Sequence, residues 1–249
     1  MIRVFTAFSG YDSQCIALDR AGIEYDLVGW SEIDKYAIMA HDAIYPQYKD
    51  RNYGDITKID WNDVPDFDLF TYSSPCQDFS KAGNLRGGQE GSGTRSSLLW
   101  TCKEAIRIKR PKYCLLENVE NLVSKRFYPL FHQWEQLLAE MGYKNTWSVV
   151  NAMECGIPQN RKRVFLVSIL DPDSNFRFPA KQGRVRPLED FLEDDEAVDE
   201  KYYIPRERIT LIQDEETETE NAETEGSERE DAHRSVGHPS VPAQGKLFL

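Results

Sequence analysis

The chain has 249 residues, of which 40% are hydrophobic, and this composition is typical of one large folded domain with an appendage rather than of a disordered protein. It has no apolar run that approaches the length of a membrane span, and its first residues become polar too soon for a signal peptide. Its five cysteines are scattered and include no CxxC pair, which indicates neither a disulfide framework nor a zinc site and favours a reducing cytosol.

The net charge of −12 is distributed unevenly along the chain. Residues 1–188 carry 24 Lys and Arg against 23 Asp and Glu, whereas residues 189–213 carry −6 and residues 214–249 carry −7. The acidity of the last quarter therefore does not exclude a polyanionic substrate for the first three quarters. Eight basic residues within 81–112 fit either a solvated surface, which charge alone favours, or a surface that meets phosphates.

Short apolar runs alternate with helical patterns over the first 170 residues. The patterns predict strands at 2–8, 25–34 (with its exit), 67–72, 113–119, 144–152 and 163–170, and helices at 13–22, 35–45, 97–109 and 127–143. Strands and helices that alternate in this way predict an α/β fold with an open, mostly parallel sheet and helices on both faces. Beyond residue 171 the patterns predict a short helix after Pro187 and an acidic, disordered tail that includes residues 214–231.

Several polar or unusual residues fall where the predicted strands end, at the edge of an α/β sheet that binds ligands. These residues are Phe8-Ser9-Gly10, Glu32, Asp55-Ile56, Pro75-Cys76-Gln77 and Glu117-Asn118. An acid after the second strand suits ribose hydroxyls, although acids at strand ends more often only cap a helix.

Cys76 stands in the stretch SSPCQDFS, directly after the apolar run 67–72. Ser74 precedes a proline and is therefore extended, and Pro75 cannot donate to the sheet, so the thiol is presented from a rigid elbow. A lone free cysteine is more often a small buried hydrophobe. We accept that interpretation for the other four cysteines, Cys15, Cys102, Cys114 and Cys155. A hydrolase of Cys-His type is disfavoured because no histidine lies near Cys76 in the sequence.

Six short motifs follow one another in the order FSG, SEID, GDI, PCQ, ENV and QNRKR. In that order they resemble the DNA cytosine-5 methyltransferase family, over residues 1 to about 170. The resemblance implies a Rossmann-like fold dependent on S-adenosylmethionine, double-stranded DNA as the substrate, and a cytoplasmic location in a bacterium or a phage-infected cell. Restriction-modification is one context that it implies.

The resemblance also implies roles for four catalytic residues. Cys76 matches the nucleophile that adds to C6 of cytosine, and Glu117 matches the acid that contacts N3 and the exocyclic amine. Arg163 matches the arginine at the cytosine O2, and Arg161 matches the residue that supports it. Alternate residues of a strand share a face, so Gln159, Arg161 and Arg163 are expected to point the same way. The plain alternative for the two arginines is surface solvation.

The cofactor contacts implied by the resemblance are Phe8, Gly10, Glu32, Ile33, Asp55, Ile56, Pro75 and Leu98. Phe8 would pack on the adenine, Glu32 would bind the ribose hydroxyls, and Asp55 would accept from the adenine amine. Phe8, Ile33 and Leu98 could equally be core residues. Residues 80–95 match a mobile loop that closes over a flipped base, with Thr94 and Arg95 near the DNA backbone.

The sequence departs from the family pattern in two places. Gly10 is followed by Tyr11-Asp12-Ser13, where the family is usually richer in glycine, although Asp12 and Ser13 can cap the next helix. The chain also has no recognisable target-recognition domain or returning C-terminal segment. We therefore expect a catalytic domain over 1–171, a remnant or start of the recognition region over 172–213, and a tail over 214–249.

Three explanations of the second departure stay open. The chain is one part of a split enzyme with a second polypeptide, a compact variant with little specificity, or an inactive remnant. Two functions compete with DNA methylation: methylation of cytosine in RNA, such as tRNA, and a catalytically silent binding subunit.

Overall fold

The computed structural model describes residues 1–75, 91, 93, 95–180 and 186–205. Cys76, Thr94, most of the predicted loop 80–95 and the predicted acidic tail lie outside the described residues. The chain divides into two units, Met1–Asp190 and Phe191–Leu249. In the second unit the structure describes residues 191–205, which include short 3₁₀ turns at Asp195–Ala197 and Glu200–Tyr202. The predicted domain bounds stay a prediction.

Within the described residues the first unit contains a six-stranded sheet in the order β2-β1-β3-β4-β6-β5. The strands are β1 (Ile2–Ala7), β2 (Tyr25–Ser31), β3 (Leu69–Tyr72), β4 (Tyr113–Val119), β5 (Lys144–Asn151) and β6 (Lys162–Ile169). β1 pairs in parallel with β2 and β3, and β3 pairs in parallel with β4. Only β6 runs against its neighbours β4 and β5. The prediction of a mostly parallel sheet is confirmed.

Four α-helices connect these strands in the described part of the chain. They are α1 (Ser13–Arg20), α2 (Lys35–Ile44), α3 (Cys102–Lys109) and α4 (Tyr128–Glu140). The predicted helix at 97–109 is a 3₁₀ helix over Arg95–Thr101 that continues into α3. The predicted helix after Pro187 is a single 3₁₀ turn, Leu188–Phe191. No helix of the described residues combines the length and the apolar character needed to cross a membrane.

Two apolar clusters cover opposite faces of the sheet, because neighbouring residues of a strand point to opposite sides. Phe5 packs into the larger cluster, which includes Phe70, Tyr72 and buried side chains of α3 and α4. Val4 packs into the smaller cluster with side chains of α1 and α2. Helices on both faces are therefore confirmed. Cys15, Cys102 and Cys114 are buried as predicted, and burial raises the pKa of each thiol well above its usual value.

Trp134 of α4 is the anchor of the larger cluster. It is fully buried, donates from Nε1 to the Tyr72 hydroxyl at 3.1 Å, and packs edge-on against Trp100. We expect Trp134→Ala to lower the free energy of unfolding by about 3–5 kcal/mol, because it removes this contact area and leaves a cavity. Urea unfolding checks the value. Trp147→Ala, at a half-exposed tryptophan of β5, is the control, and an equal loss in both variants would contradict the prediction.

Candidate active site

A cleft of about 710 Å³ lies along one face of the sheet beside α1 and reaches the carboxyl edge of the parallel strands. Its size is that of a small-molecule site. Its floor is one face of β3, β4 and β6, and its walls are the loop after β1 and the chain that joins β5 to β6. The cleft brings together four residues predicted from the sequence, namely Phe8, Glu117, Arg161 and Arg163.

Glu117 and Arg163 form an ion pair in this cleft. β4 and β6 are antiparallel neighbours in which Glu117 lies opposite Phe165, so Glu117 and Arg163 are diagonal neighbours on one face. Arg163 Nε lies 3.0 Å from Glu117 Oε1, and the two side chains are 22% and 26% exposed. Arg163 Nη1 also donates to the Lys162 carbonyl at 2.8 Å. The pair fixes the carboxylate and leaves further guanidinium N–H groups for a ligand.

Arg161 reaches the cleft from outside the strand. β6 begins at Lys162, so the prediction that Gln159, Arg161 and Arg163 share a strand face is wrong. The reason is a tight turn after Pro158, in which Gln159 N donates to the Ile157 carbonyl at 2.8 Å. Arg161 N donates to the Gln159 carbonyl at 2.9 Å and to Asn151 Oδ1 at 3.1 Å rather than to a neighbouring strand. Arg161 and Arg163 nevertheless line the same cleft, whereas Gln159 does not.

Cys155 is exposed and lines this cleft, so the prediction that it is a buried hydrophobe is wrong. It ends a 3₁₀ turn, Ala152–Cys155, that a capping box of Asn151 and Glu154 holds in place. The turn closes on Gly156, which has a positive φ of 85°.

The loop between β1 and α1 has an unusual backbone. Phe8, Gly10 and Asp12 all have positive φ values, of 55°, 58° and 67°. A side chain at Gly10 would meet nothing within 4 Å, so the glycine is required for its conformation rather than for space. Ser9 N donates to the Ser31 carbonyl at 3.2 Å, which joins the loop to the end of β2. Asp12 Oδ1 accepts from Cys15 N at 3.3 Å, so the predicted cap of α1 is confirmed for Asp12.

Glu32 ties this loop to the end of β2. Its Oε2 accepts from Gly10 N at 2.9 Å, and its Oε1 accepts from Ile33 N at 2.8 Å and from Asp34 N at 3.0 Å. A carboxylate has about four acceptor positions, so Oε2 can still accept from a ligand hydroxyl. The sequence-based reasoning missed Asn52, whose side chain bonds both the N–H and the carbonyl of Glu32 and accepts from Gly54 N. The sequence does contain a signal for this role, because an asparagine two residues before a glycine often bonds the backbone of a turn.

The remaining predicted cofactor residues lie outside the cleft. Asp55 accepts from Thr57 N and Thr57 Oγ1, and these hydrogen bonds hold the pKa of Asp55 below its usual value. Ile56 is buried in the larger core cluster, whereas Ile33 is 72% exposed, so the alternative that Ile33 is a core residue is wrong. Pro75 and Leu98 are half-buried.

These residues fit a nucleoside-type cofactor. The order of strands reverses between β1 and β3, because β2 lies on one side of β1 and β3 on the other, and such a switch point opens a crevice at the carboxyl edge. Gly10 and the Glu32 carboxylate lie at this point, and Phe8 and the exposed Ile33 offer apolar surface to a flat ring. Fold and site together define a Rossmann-like protein with a ligand site at its carboxyl edge.

Comparison with known proteins gives the family. A sequence model described as C-5 cytosine-specific DNA methylase matches residues 2–244, and the chain belongs to this family. The match extends past residue 170, where the motifs in the sequence end. The family is one of methyltransferases that use cytosine in DNA, so the resemblance stated from the six motifs is confirmed.

Relatives from bacteria and phages are named as methyltransferases. Type II methyltransferase M2.ScrFI of Lactococcus lactis subsp. cremoris is 39% identical over 84% of this chain and 72% of its own length. Orphan methyltransferase M.SPRI of Bacillus phage SPR is 33% identical over 83% of this chain and 53% of its own length. The chain thus spans from about half to about three quarters of these relatives.

Solved structures confirm the fold. The Dnmt2 methyltransferase of S. pombe superposes with a TM-score of 0.64 at 23% identity, over 82% of this chain and 64% of its own. The methyltransferase EhMeth of Entamoeba histolytica gives a TM-score of 0.65 at 19% identity, over 82% of this chain and 63% of its own. The chain therefore has the Rossmann-like fold of S-adenosylmethionine-dependent methyltransferases.

Proposed function

We propose that this chain transfers a methyl group from S-adenosylmethionine to C5 of a cytosine in double-stranded DNA, through a covalent intermediate on Cys76. The observation that carries the proposal is the Glu117–Arg163 ion pair beside Arg161, in one cleft of a chain that belongs to the C-5 cytosine-specific DNA methylases. A cytosine inside a duplex cannot reach such a cleft, so the base is flipped out of the helix.

Cytosine C5 is a poor nucleophile until a group adds to C6. The Cys76 thiolate forms a bond to C6, and C5 gains the electron density that it needs to take up the methyl group. Bound S-adenosylmethionine would supply that methyl group. The proton at C5 must then leave as the bond from sulfur to C6 breaks, which restores the thiolate and the aromatic ring.

Glu117 and Arg163 act on the ring while this charge develops. The Glu117 carboxyl group contacts N3, where a shared proton stabilises the adduct. Arg163 holds Glu117 through Nε and offers a terminal N–H group to O2 of the base, and Arg161 lies beside it. The ion pair holds the N–H groups of Arg163 in place before negative charge develops on the cytosine ring, so no reorganisation is needed during the reaction.

The chain that leads to Cys76 is tied to β4, which supports the proposed nucleophile. Asn118 directly follows Glu117 and donates from Nδ2 to the carbonyl of Ser74 at 3.1 Å. Gln14 of α1 donates to Ser73 Oγ at 3.1 Å. The first contact holds Ser74, two residues before Cys76, against the end of β4, and the second ties Ser73 to α1. The sequence-based reasoning gave Asn118 no role, although a buried asparagine needs partners of this kind.

The cofactor would be held by Phe8, Gly10, Glu32, Ile33 and Asp55, with Ile56, Pro75 and Leu98 around them. Glu32→Gln is expected to raise the dissociation constant of S-adenosylhomocysteine by about tenfold or more, because it weakens a charge-assisted acceptor for the ribose hydroxyls. Calorimetric titration measures the constant. Glu24→Gln, at the exposed residue just before β2, is the control, and equal affinity in both variants would contradict the assignment.

Tritium transfer from labelled S-adenosylmethionine to duplex DNA and to tRNA, run in parallel with the purified chain, tests the function. Incorporation into DNA alone supports the proposal, and incorporation into tRNA alone replaces it with RNA methylation. If neither takes up label while the chain binds S-adenosylhomocysteine, the chain alone is a silent subunit. The predicted second polypeptide for target recognition would then be sought as the protein that restores transfer.

A further inference from the structure

A buried group of polar side chains lies beneath the loop between β1 and α1. Asp12 and His41 are both fully buried, and so is Thr6 of β1. Buried charged and polar groups are costly unless they are partnered, so a group of this kind in the interior calls for a physical explanation. The group supports the loop between β1 and α1, and this support suggests the explanation.

His41 is fixed between two carboxylates and an aromatic ring. Its ring stacks on Trp30 of β2, with the centroids 3.6 Å apart. Its Nε2 lies 3.7 Å from Asp12 Oδ2, and its Nδ1 lies 3.7 Å from Asp42 Oδ1. Neither ring nitrogen has a hydrogen-bond partner among the described residues, so the stacking and the closeness of the two carboxylates hold the imidazole beneath the loop.

The side chain of Asp12 points into the protein interior, whereas its two neighbours in sequence line the cleft. Tyr11 and Ser13 line the cleft, whereas the Asp12 carboxylate accepts from Thr6 Oγ1 at 2.8 Å and from Cys15 N at 3.3 Å. Asp12 N also donates to the Ser9 carbonyl at 2.8 Å. One side chain therefore connects the loop to β1, to α1 and, through the facing His41, to α2.

The backbone of this loop needs such support. Phe8 and Asp12 occupy the left-handed region without being glycine, with Gly10 between them. Strained conformations persist only where the surrounding structure holds them. Glu32 holds Gly10 N from the end of β2, and Asp12 ties the loop to Thr6 of β1.

We propose that Asp12 and His41 are positioning residues that hold residues 8–13 in the conformation that binds S-adenosylmethionine. The inference rests on the proposed function, but it gives a positioning role to two buried side chains that do not contact the substrate. It also explains how this loop keeps its conformation with Tyr11-Asp12-Ser13 in place of further glycines. Glycine adopts the left-handed backbone conformation without strain, whereas here the hydrogen bonds of the Asp12 carboxylate stabilise it.

Calorimetric titration with S-adenosylhomocysteine tests the proposal in the full chain, without any need for methyl transfer. Asp12→Ala is expected to raise the dissociation constant by at least about tenfold, because the loop loses its buried tie. Asp12→Asn keeps the size and one acceptor, and it should recover most of the affinity. His41→Phe keeps a ring against Trp30 and removes both nitrogens, and it should weaken binding less than Asp12→Ala.

The variants should also be coupled. In the double variant Asp12→Ala, His41→Phe, the loss of affinity should be smaller than the product of the two single losses, since both act through one contact. Methyl transfer at saturating cofactor should stay within about threefold of the wild type, because a positioning residue changes KM for the cofactor rather than kcat.

Asp68→Asn is the matched control, since Asp68 bonds Arg3 N at the opposite end of the strands. It should lower the melting temperature without changing cofactor affinity. Equal affinity in wild type, Asp12→Ala, Asp12→Asn and His41→Phe, with lower melting temperatures, would overturn the inference and leave the cluster a purely structural one. A wild-type chain that does not bind S-adenosylhomocysteine would instead overturn the proposed function, and this inference with it.

Discussion

Replacement of Cys76 by serine is expected to reduce methyl transfer by at least about 10⁴-fold while cofactor affinity stays within a few-fold of the wild type. A thiol ionises near pH 8.5 and its thiolate is a strong nucleophile, whereas a serine hydroxyl stays protonated in the absence of a base. The measurement uses duplex DNA that contains 5-fluorocytosine, together with labelled S-adenosylmethionine. Fluorine at C5 prevents release, so an active chain stays attached to the DNA on a denaturing gel.

Cys155→Ser is the control for this experiment, because Cys155 is the exposed cysteine among the described residues and lines the cleft of Glu117 and Arg163. It should form the labelled adduct as the wild type does. An adduct that survives in Cys76→Ser and disappears in Cys155→Ser would move the nucleophile to Cys155. Loss of cofactor binding in Cys76→Ser would show that Cys76 has a structural role.

Glu117→Gln is expected to lower kcat by about 10²–10⁴-fold, the usual range for a lost general acid or base. Glutamine has the same size and can still accept from Arg163 Nε, but it cannot share a proton with N3 of the base. Single-turnover transfer to duplex DNA, at saturating cofactor, gives the rate of the chemical step. The melting temperature of the variant should stay close to that of the wild type.

The matched control for this second variant is Glu120→Gln. Glu120 lies three residues further along the chain, half-exposed, and its carboxylate pairs with Lys162 Nζ at 3.4 Å rather than with Arg163. It should leave kcat nearly unchanged. If both variants lose activity equally, the loss comes from the removal of a negative charge near the ends of β4 and β6, and not from the loss of a proton shared with N3 of the base.

Local patterns predicted most of the fold. The short apolar run YCLLENV predicts β4 with the bounds that the structure gives it. The pattern predicts one helix at 97–109, although the first five of these residues belong to the 3₁₀ helix Arg95–Thr101. Apolar spacing does not separate the two helix types over so short a stretch.

The site was predicted less completely, since motifs name residues but not their partners. Arg163 and Glu117 were assigned separately to two parts of a base, and their ion pair follows only from the antiparallel pairing of β4 with β6. The strand order that places β6 between β4 and β5 has no local signal. The contacts of Asn118 with Ser74 and of His41 with Asp12 likewise join residues distant in sequence.

The same pairing affects how the protein reaches its active form. β1 to β4 are formed by the first 119 residues, which include Cys76 and Glu117, whereas β6 begins at Lys162. Contacts between residues far apart in sequence form late, because the intervening chain must first lose its freedom. A nascent chain released after β4 would therefore contain the proposed nucleophile and Glu117 but not Arg163, the ion-pair partner of Glu117. Synthesis of the β5–β6 hairpin is therefore the step at which the Glu117–Arg163 ion pair of the proposed site can first form.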